Sequence, residues 1–224
     1  MKFSIIIPTL NEEKILVRQW ESLKEFGVDA EIIVADGGSS DGTLAIARRM
    51  GWEVVEAAKG RGQQMNAGAA IASAPVLIFL HADTILPVEA SELISQALND
   101  SEVVGGNFRL KFDGNRWESR WLTRIYPLLR LGGMCYGDSG FFLRREIFER
   151  VGGFRDYPIF EDSDLYRRIG RLGRFRMVDG VAKTSSRRFE GRFWRTLLLW
   201  VVLQILYWSG VPPRRLAEFY RVVR

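Results

Sequence analysis

Apolar residues in the first half of the chain fall into short runs, and between the runs they recur at helical spacing. Phe3–Pro8, Glu31–Ala35, Trp52–Glu56, Val76–Leu80 and Val103–Leu110 read as strands. Asn11–Phe26, Asp41–Met50, Gly62–Ala72 and Pro87–Leu98 read as helices, with Asn11 and Asp41 suited to N-caps and Pro87 to a first turn. Strands alternating with helices over short connections predict an α/β fold. Its central sheet is expected to be Rossmann-like, mainly parallel and covered by helices on both faces.

Beyond about Leu110 the alternation loosens. Trp117–Leu131 has the spacing of an amphipathic helix, Gly137–Leu143 reads as a strand, Arg144–Val151 as a short helix, and Asp162–Gly170 as another. No internal repeat or low-complexity linker interrupts the chain. Thr196–Pro213 carries no charge, yet its apolar core, Leu197–Val211, would span only about 22 Å as a helix against roughly 30 Å of hydrocarbon. Flanked by Arg192, Arg195, Arg214 and Arg215, it reads as an interfacial helix lying on a membrane, or else as a core or oligomer-interface helix. Residues 1–190 are therefore expected to form the main domain, and 191–224 an amphipathic helical extension.

Composition narrows the classes. At 224 residues and 47% hydrophobic content the chain is an ordinary globular protein. A lone Cys135 excludes an internal disulfide framework and a cysteine-rich zinc site, and fits a reducing compartment. A lone His81 excludes a multi-histidine metal site within one chain. The apolar run Ser4–Pro8 is too short for a signal-peptide core, so the catalytic part is expected to face the cytoplasm. The net charge of +5 divides into +7 over Lys183–Arg224 and −2 over everything before it. Such a basic tail seeks an anionic partner: membrane phospholipid or nucleic acid. No nucleic-acid recognition motif accompanies it.

The chemistry sits in two short acidic loops, each following a predicted strand. Ile32–Ala35 runs into Asp36-Gly37-Gly38-Ser39-Ser40-Asp41-Gly42, and Val76–Leu80 runs into His81-Ala82-Asp83. In open α/β sheets ligands bind beyond the carboxyl ends of the strands. Ser4-Ile5-Ile6-Ile7-Pro8-Thr9-Leu10-Asn11-Glu12, the Asp36–Gly42 loop, the Asp83 triplet and Glu161-Asp162 occur in that order. The chain resembles a family 2 glycosyltransferase of the GT-A fold over roughly residues 3–190.

The resemblance implies a role for each motif. Thr9 and Glu12 would touch the nucleoside and its ribose, although Asn11 and Glu12 also suit a helix start. Asp36 would hydrogen-bond a pyrimidine base, favouring a UDP-linked donor; Gly37 stands where the family has a second aspartate. Asp83 would contact Mn²⁺ or Mg²⁺ on the diphosphate, while His81 replaces the first acid of the usual Asp-x-Asp triplet. Arg61, between two glycines, fits a diphosphate or a base edge, or a solvated surface.

Asp162 would be the base of an inverting transfer, with Glu161 and Asp164 in support and Asp164 also near sugar or acceptor. Asp138 would meet sugar hydroxyls, or merely close a turn. Arg187 and Arg188 would cover the diphosphate, or belong to the basic patch. The activity expected is metal-dependent transfer of a sugar from a nucleotide-sugar to a hydroxyl acceptor, and the basic, aromatic tail suggests that the acceptor is a lipid or membrane-borne. A nucleotidyltransferase is the competing enzyme reading, although Pro8-Thr9-Leu10-Asn11 is a poor triphosphate cradle. A non-catalytic nucleotide-binding or membrane-scaffold protein is the competing class, and the presence of both Asp83 and Glu161-Asp162 argues against it.

Overall fold

The computed structural model describes residues 1–24, 30–114, 116–131, 137–186, 191 and 193–221. Strand β1 (Phe3–Thr9) is buried along its whole length at the centre of a seven-stranded sheet. The chain continues through α1 (Glu13–Lys24), β2 (Ala30–Asp36), α2 (Thr43–Arg49), β3 (Glu53–Glu56), α3 (Arg61–Ile71), β4 (Val76–Phe79) and α4 (Ala90–Leu98). Then follow β5 (Val103–Phe112), α5 (Trp117–Leu131), a 3₁₀ turn (Gly137–Ser139), β6 (Phe141–Arg144), α6 (Arg145–Arg150) and α7 (Glu161–Ile169). Strand β7 (Arg174–Thr184) and helices α8 (Phe193–Trp208) and α9 (Pro213–Arg221) complete it.

The sheet order is β3-β2-β1-β4-β6-β5-β7, and only β6 runs against the others. Alternate side chains of β1 feed two cores. Ile5 and Ile7 pack with residues of α1, α2, α4 and α5, whereas Ile6 packs with residues of α3, α6 and α7. That two-sided burial is why the strands read as continuous apolar runs. A third cluster joins Ile159 and Phe160 to Leu203, Tyr207, Leu216 and Ala217, fixing α8 and α9 to the loop before α7.

Three local expectations are corrected. Asn11 does not cap α1; it takes a left-handed φ of 57°, and its Oδ1 accepts from the Ser40 amide at 2.8 Å. Instead Thr43 Oγ1 and Asp41 Oδ2 accept from the Glu12 and Glu13 amides at 2.9 and 3.3 Å. Pro87 lies three residues before α4, in a turn whose carbonyl accepts from the Ala90 amide. The strand expected over Gly137–Leu143 begins as a 3₁₀ turn and becomes extended only at Phe141. Strand β7 was not anticipated: its exposed half carries Arg174, Arg176 and Asp179, and Gly180 interrupts the apolar alternation.

Candidate active site

Because β1–α1–β2 winds one way across the sheet and β3–α3–β4 returns the other way, β1 and β4 part at their carboxyl ends. Such a switch point opens a crevice. It is lined by Thr9, Leu10 and Glu12 after β1, by His81 and Asp83 after β4, and by Arg61 at the start of α3. The cavity measures about 880 Å³, within the range that accommodates a nucleotide-sized ligand.

Asp36 is fully buried and does not line the crevice; it supports Thr9, which does. Its buried carboxylate accepts from the Thr9 hydroxyl at 2.9 Å, the Gly38 amide at 2.9 Å, the Ser39 amide at 2.7 Å and the Ser39 hydroxyl. Burial pushes its pKa up, but these donors, led by Ser39, outweigh burial and hold the group below the usual carboxylate range. Asp36 thus organises the 36–39 turn from within. Gln64 braces the same turn, its Nε2 donating to the Thr9 and Ala35 carbonyls at 2.6 and 2.9 Å. A Cβ at Gly37 would stand 3.0 Å from the Gln64 side chain, so a second aspartate would press on this brace. Sequence reasoning passed over Gln64 because a glutamine inside a helix carries no pattern of its own.

A second cavity of about 110 Å³ adjoins the first, and Arg61, His81, Asp83, Asp138 and Asp162 all border it. The residues matched to metal and base roles therefore share one space. Asp162 Oδ2 accepts from the Gly137 amide at 2.7 Å and Oδ1 from the Ser163 amide at 2.7 Å. A Cβ on Gly137 would lie 3.1 Å from His81 Nε2 and 3.5 Å from Asp162 Oδ2. A side chain at 137 would therefore crowd His81, while glycine leaves both groups room.

The other acids of this segment point elsewhere. Glu161, 1% exposed, is paired with Arg61 at 2.8 Å (Nε to Oε1) and borders neither cavity, and its Oε2 has no hydrogen-bond partner. Burial raises its pKa; Arg61 opposes that rise and Asp162 adds to it. The same pair, with Glu161 as the largest cause, raises the pKa of Arg61. Asp164 also borders neither cavity: its carboxylate is held by Arg168 Nε at 2.7 Å and Arg155 Nη1 at 3.3 Å. Arg187 and Arg188 lie outside the described residues. Arg214 and Tyr220 of α9, assigned by sequence only to a tail, line the larger cavity.

Among the described residues no cluster of three histidine, cysteine, aspartate or glutamate side chains is placed to hold a metal ion. A lone carboxylate such as Asp83 could hold only a cation that completes its shell with phosphate oxygens and water, as Mg²⁺ and Mn²⁺ do.

A nucleotide-sized crevice thus opens at the sheet's switch point, lined by Glu12 after β1 and Asp83 after β4. The family profile described as "Glycosyl transferase family 2" matches residues 4–152, and the chain belongs to that family. It is 32% identical over 177 residues to the PGL/p-HBAD biosynthesis glycosyltransferase of Mycobacterium tuberculosis, covering 73% of this chain and 67% of that one. A shorter match, 37% over 103 residues, is to the 4,4'-diaponeurosporenoate glycosyltransferase of Staphylococcus haemolyticus, covering 42% of this chain and 28% of that one.

Among solved structures, a mannosyltransferase from Pyrobaculum calidifontis in complex with GDP-Man and Mn²⁺ superposes with a TM-score of 0.70 at 19% identity. The match covers 91% of this chain, which spans 61% of the mannosyltransferase. Glucosyl-3-phosphoglycerate synthase from Mycobacterium tuberculosis, bound to Mn²⁺, UDP and glucosyl-3-phosphoglycerate, gives 0.64 at 19% identity, covering 94% and 81% of the two chains. Both share the GT-A fold with this glycosyltransferase.

Proposed function

We propose that this enzyme transfers a sugar from a UDP-sugar to a hydroxyl group by direct displacement, with inversion at the anomeric carbon. The observation that supports this reading is that Asp83, His81, Asp138 and Asp162 border one cavity next to the nucleotide-sized crevice. Thr9 and Glu12 form the nucleoside end, with the buried Asp36 bonded to the Thr9 hydroxyl. Asp36, fully buried, accepts from a uracil N–H only once one of its two hydroxyl donors, Thr9 or Ser39, turns away from it. Arg61 and Arg214 flank the diphosphate position.

Asp162 takes the acceptor hydroxyl's proton as that oxygen attacks C1. The bond from C1 to the diphosphate oxygen breaks, and the nucleoside diphosphate leaves with the electron pair. The Gly137 and Ser163 amides hold the carboxylate in place while one lone pair on each oxygen stays open to the acceptor. Asp83, with His81 beside it, would hold Mn²⁺ or Mg²⁺ arriving with the donor; the cation's contribution there is to neutralise charge on the leaving diphosphate.

Residues 191–224 dock this machinery at the cytoplasmic face of a membrane, where a lipid or other membrane-borne acceptor is found. Trp194, Leu198, Ile205 and Trp208 stand exposed along α8, and Arg195, Arg214 and Arg215 are exposed near them. No helix among the described residues is long and apolar enough to cross a membrane.

The test is Asp162→Asn. Transfer to any accepted alcohol should fall by roughly 10²–10⁴-fold, while UDP affinity stays as in the parent protein; undiminished turnover would remove Asp162 as the base.

A further inference from the structure

The smaller cavity has an unevenly divided lining. Its polar part is Asp162, Asp138, His81, Asp83 and Arg61 with the Thr184 and Ser185 hydroxyls, while Phe112, Leu122, Tyr126, Leu197, Trp200 and Leu203 make most of the remaining wall apolar. We infer that this is the acceptor's seat, and that the acceptor is an alcohol or phenol whose hydroxyl is followed directly by an apolar segment. The inference rests on the sugar-transfer reading above, and names the acceptor class for that site.

A sugar or a short polyol placed here would bring several hydroxyls against hydrocarbon, and each one left without a partner carries a desolvation penalty. A molecule with one hydroxyl and an apolar body meets Asp162 with the former and the wall with the latter. The volume limits how much enters. A cavity of about 110 Å³ is of the order that takes one small ring, so a ring or a few methylenes sit inside and the remainder of the molecule leads away.

Helix α8 supplies both the wall and the way out. Its inner residues Leu197, Trp200 and Leu203 face the cavity, while Leu198, Val201 and Ile205 on its outer side are 65%, 42% and 53% exposed. A soluble domain ordinarily makes such a helix polar on its outer side. Here both sides are apolar, so an apolar tail leaving the cavity finds continuous hydrocarbon along α8. Stacking of Phe160 on Tyr207, with centroids 4.5 Å apart and planes at 7°, holds α8 against the segment that leads into Asp162.

The experiment uses the full chain and 4-hexylphenol as the probe, with glycerol as the polar comparison. Tryptophan fluorescence and titration calorimetry should report saturable 4-hexylphenol binding and none of glycerol. Trp200→Gln and, independently, Leu197→Gln should weaken it about tenfold or more. Val201→Gln, on the outer side of α8, should not. In a transfer assay over a panel of nucleotide-sugars, 4-hexylphenol should accept label and glycerol should not.

No saturable binding, or binding that both inner variants leave intact, overturns the proposal; so does transfer to glycerol in preference. UDP with Mn²⁺ is measured in parallel by melting temperature. A UDP-induced rise without phenol binding sinks the acceptor seat alone, whereas phenol binding without any nucleotide response sinks the sugar-transfer reading and leaves an apolar pocket.

Discussion

Arg61 and Glu161 illustrate how one residue can look like a ligand contact and yet anchor a scaffold. The arginine reaches the crevice, but its Nε is committed to a carboxylate that is almost wholly buried. Removing one partner of such a pair leaves an uncompensated buried charge. Arg61→Met should therefore destabilise the protein by about 3–5 kcal/mol in urea unfolding, and Arg61→Met combined with Glu161→Leu should restore most of that loss. Asp36 gives a pH prediction of definite sign. Its pKa is lower in the folded chain than in the unfolded one. The stability it contributes is thus complete above its unfolded value of about 3.8, and is lost as pH falls below it. Melting temperature measured from pH 6 to pH 3 should drop more steeply for the parent chain than for Asp36→Asn. Parallel profiles would mean that the 36–39 turn is not held by a carboxylate.

The N-termini of α1 and α2 interlock. Glu13 Oε2 accepts from the Gly42 amide at 3.1 Å, while Asp41 and Thr43 accept from the amides of Glu13 and Glu12. Asp41→Ala removes acceptors from both helix starts, because Asp41 Oδ1 also accepts from the Thr43 amide at 3.0 Å. A loss of about 1–2 kcal/mol is expected, together with weaker UDP binding since Thr9 and Glu12 enter the crevice from the same loop. Equal stability and equal affinity would refute the interlock. This contact explains what was legible and what was not. The strand–helix alternation, the acidic loops and the helix starting at Glu161-Asp162 are local patterns, and periodicity and loop chemistry found them. The cap on α1 comes from residues 28 to 31 positions away, so a rule that looks only at Asn11 had no means of seeing it. Gly137 is a similar case, since its meaning depends on His81 and Asp162 converging from distant parts of the chain. Strand β7 lies at the sheet's edge, paired along its length with β5 and bridged at Lys183 to Ile85, and its exposed side admits charges that hide its period.

Two helices, α8 and α9, follow the last strand in the most basic stretch of the sequence. These helices do more than trail behind. α9 brings Arg214 and Tyr220 to the larger cavity, and α8 closes the smaller one. Sequence separated a catalytic part from a tail because the charge changes there; it could not register that the tail folds back over the site through Phe160 and Tyr207. If the outer side of α8 meets lipid, Leu198→Glu with Ile205→Glu should abolish co-sedimentation with anionic vesicles and leave the melting temperature within a few degrees of the parent. Retained vesicle binding would move the contact elsewhere.

Titration calorimetry of UDP, with and without Mn²⁺, on the parent enzyme, Asp83→Ala and Asp162→Asn, tests the central assignment most directly. If Asp83 carries the cation on the diphosphate, and Asp162 acts only on the acceptor, Mn²⁺ should tighten UDP binding at least tenfold in the parent and in Asp162→Asn, and not at all in Asp83→Ala. UDP affinity indifferent to Mn²⁺ in the parent, or a metal effect that survives Asp83→Ala, would contradict it.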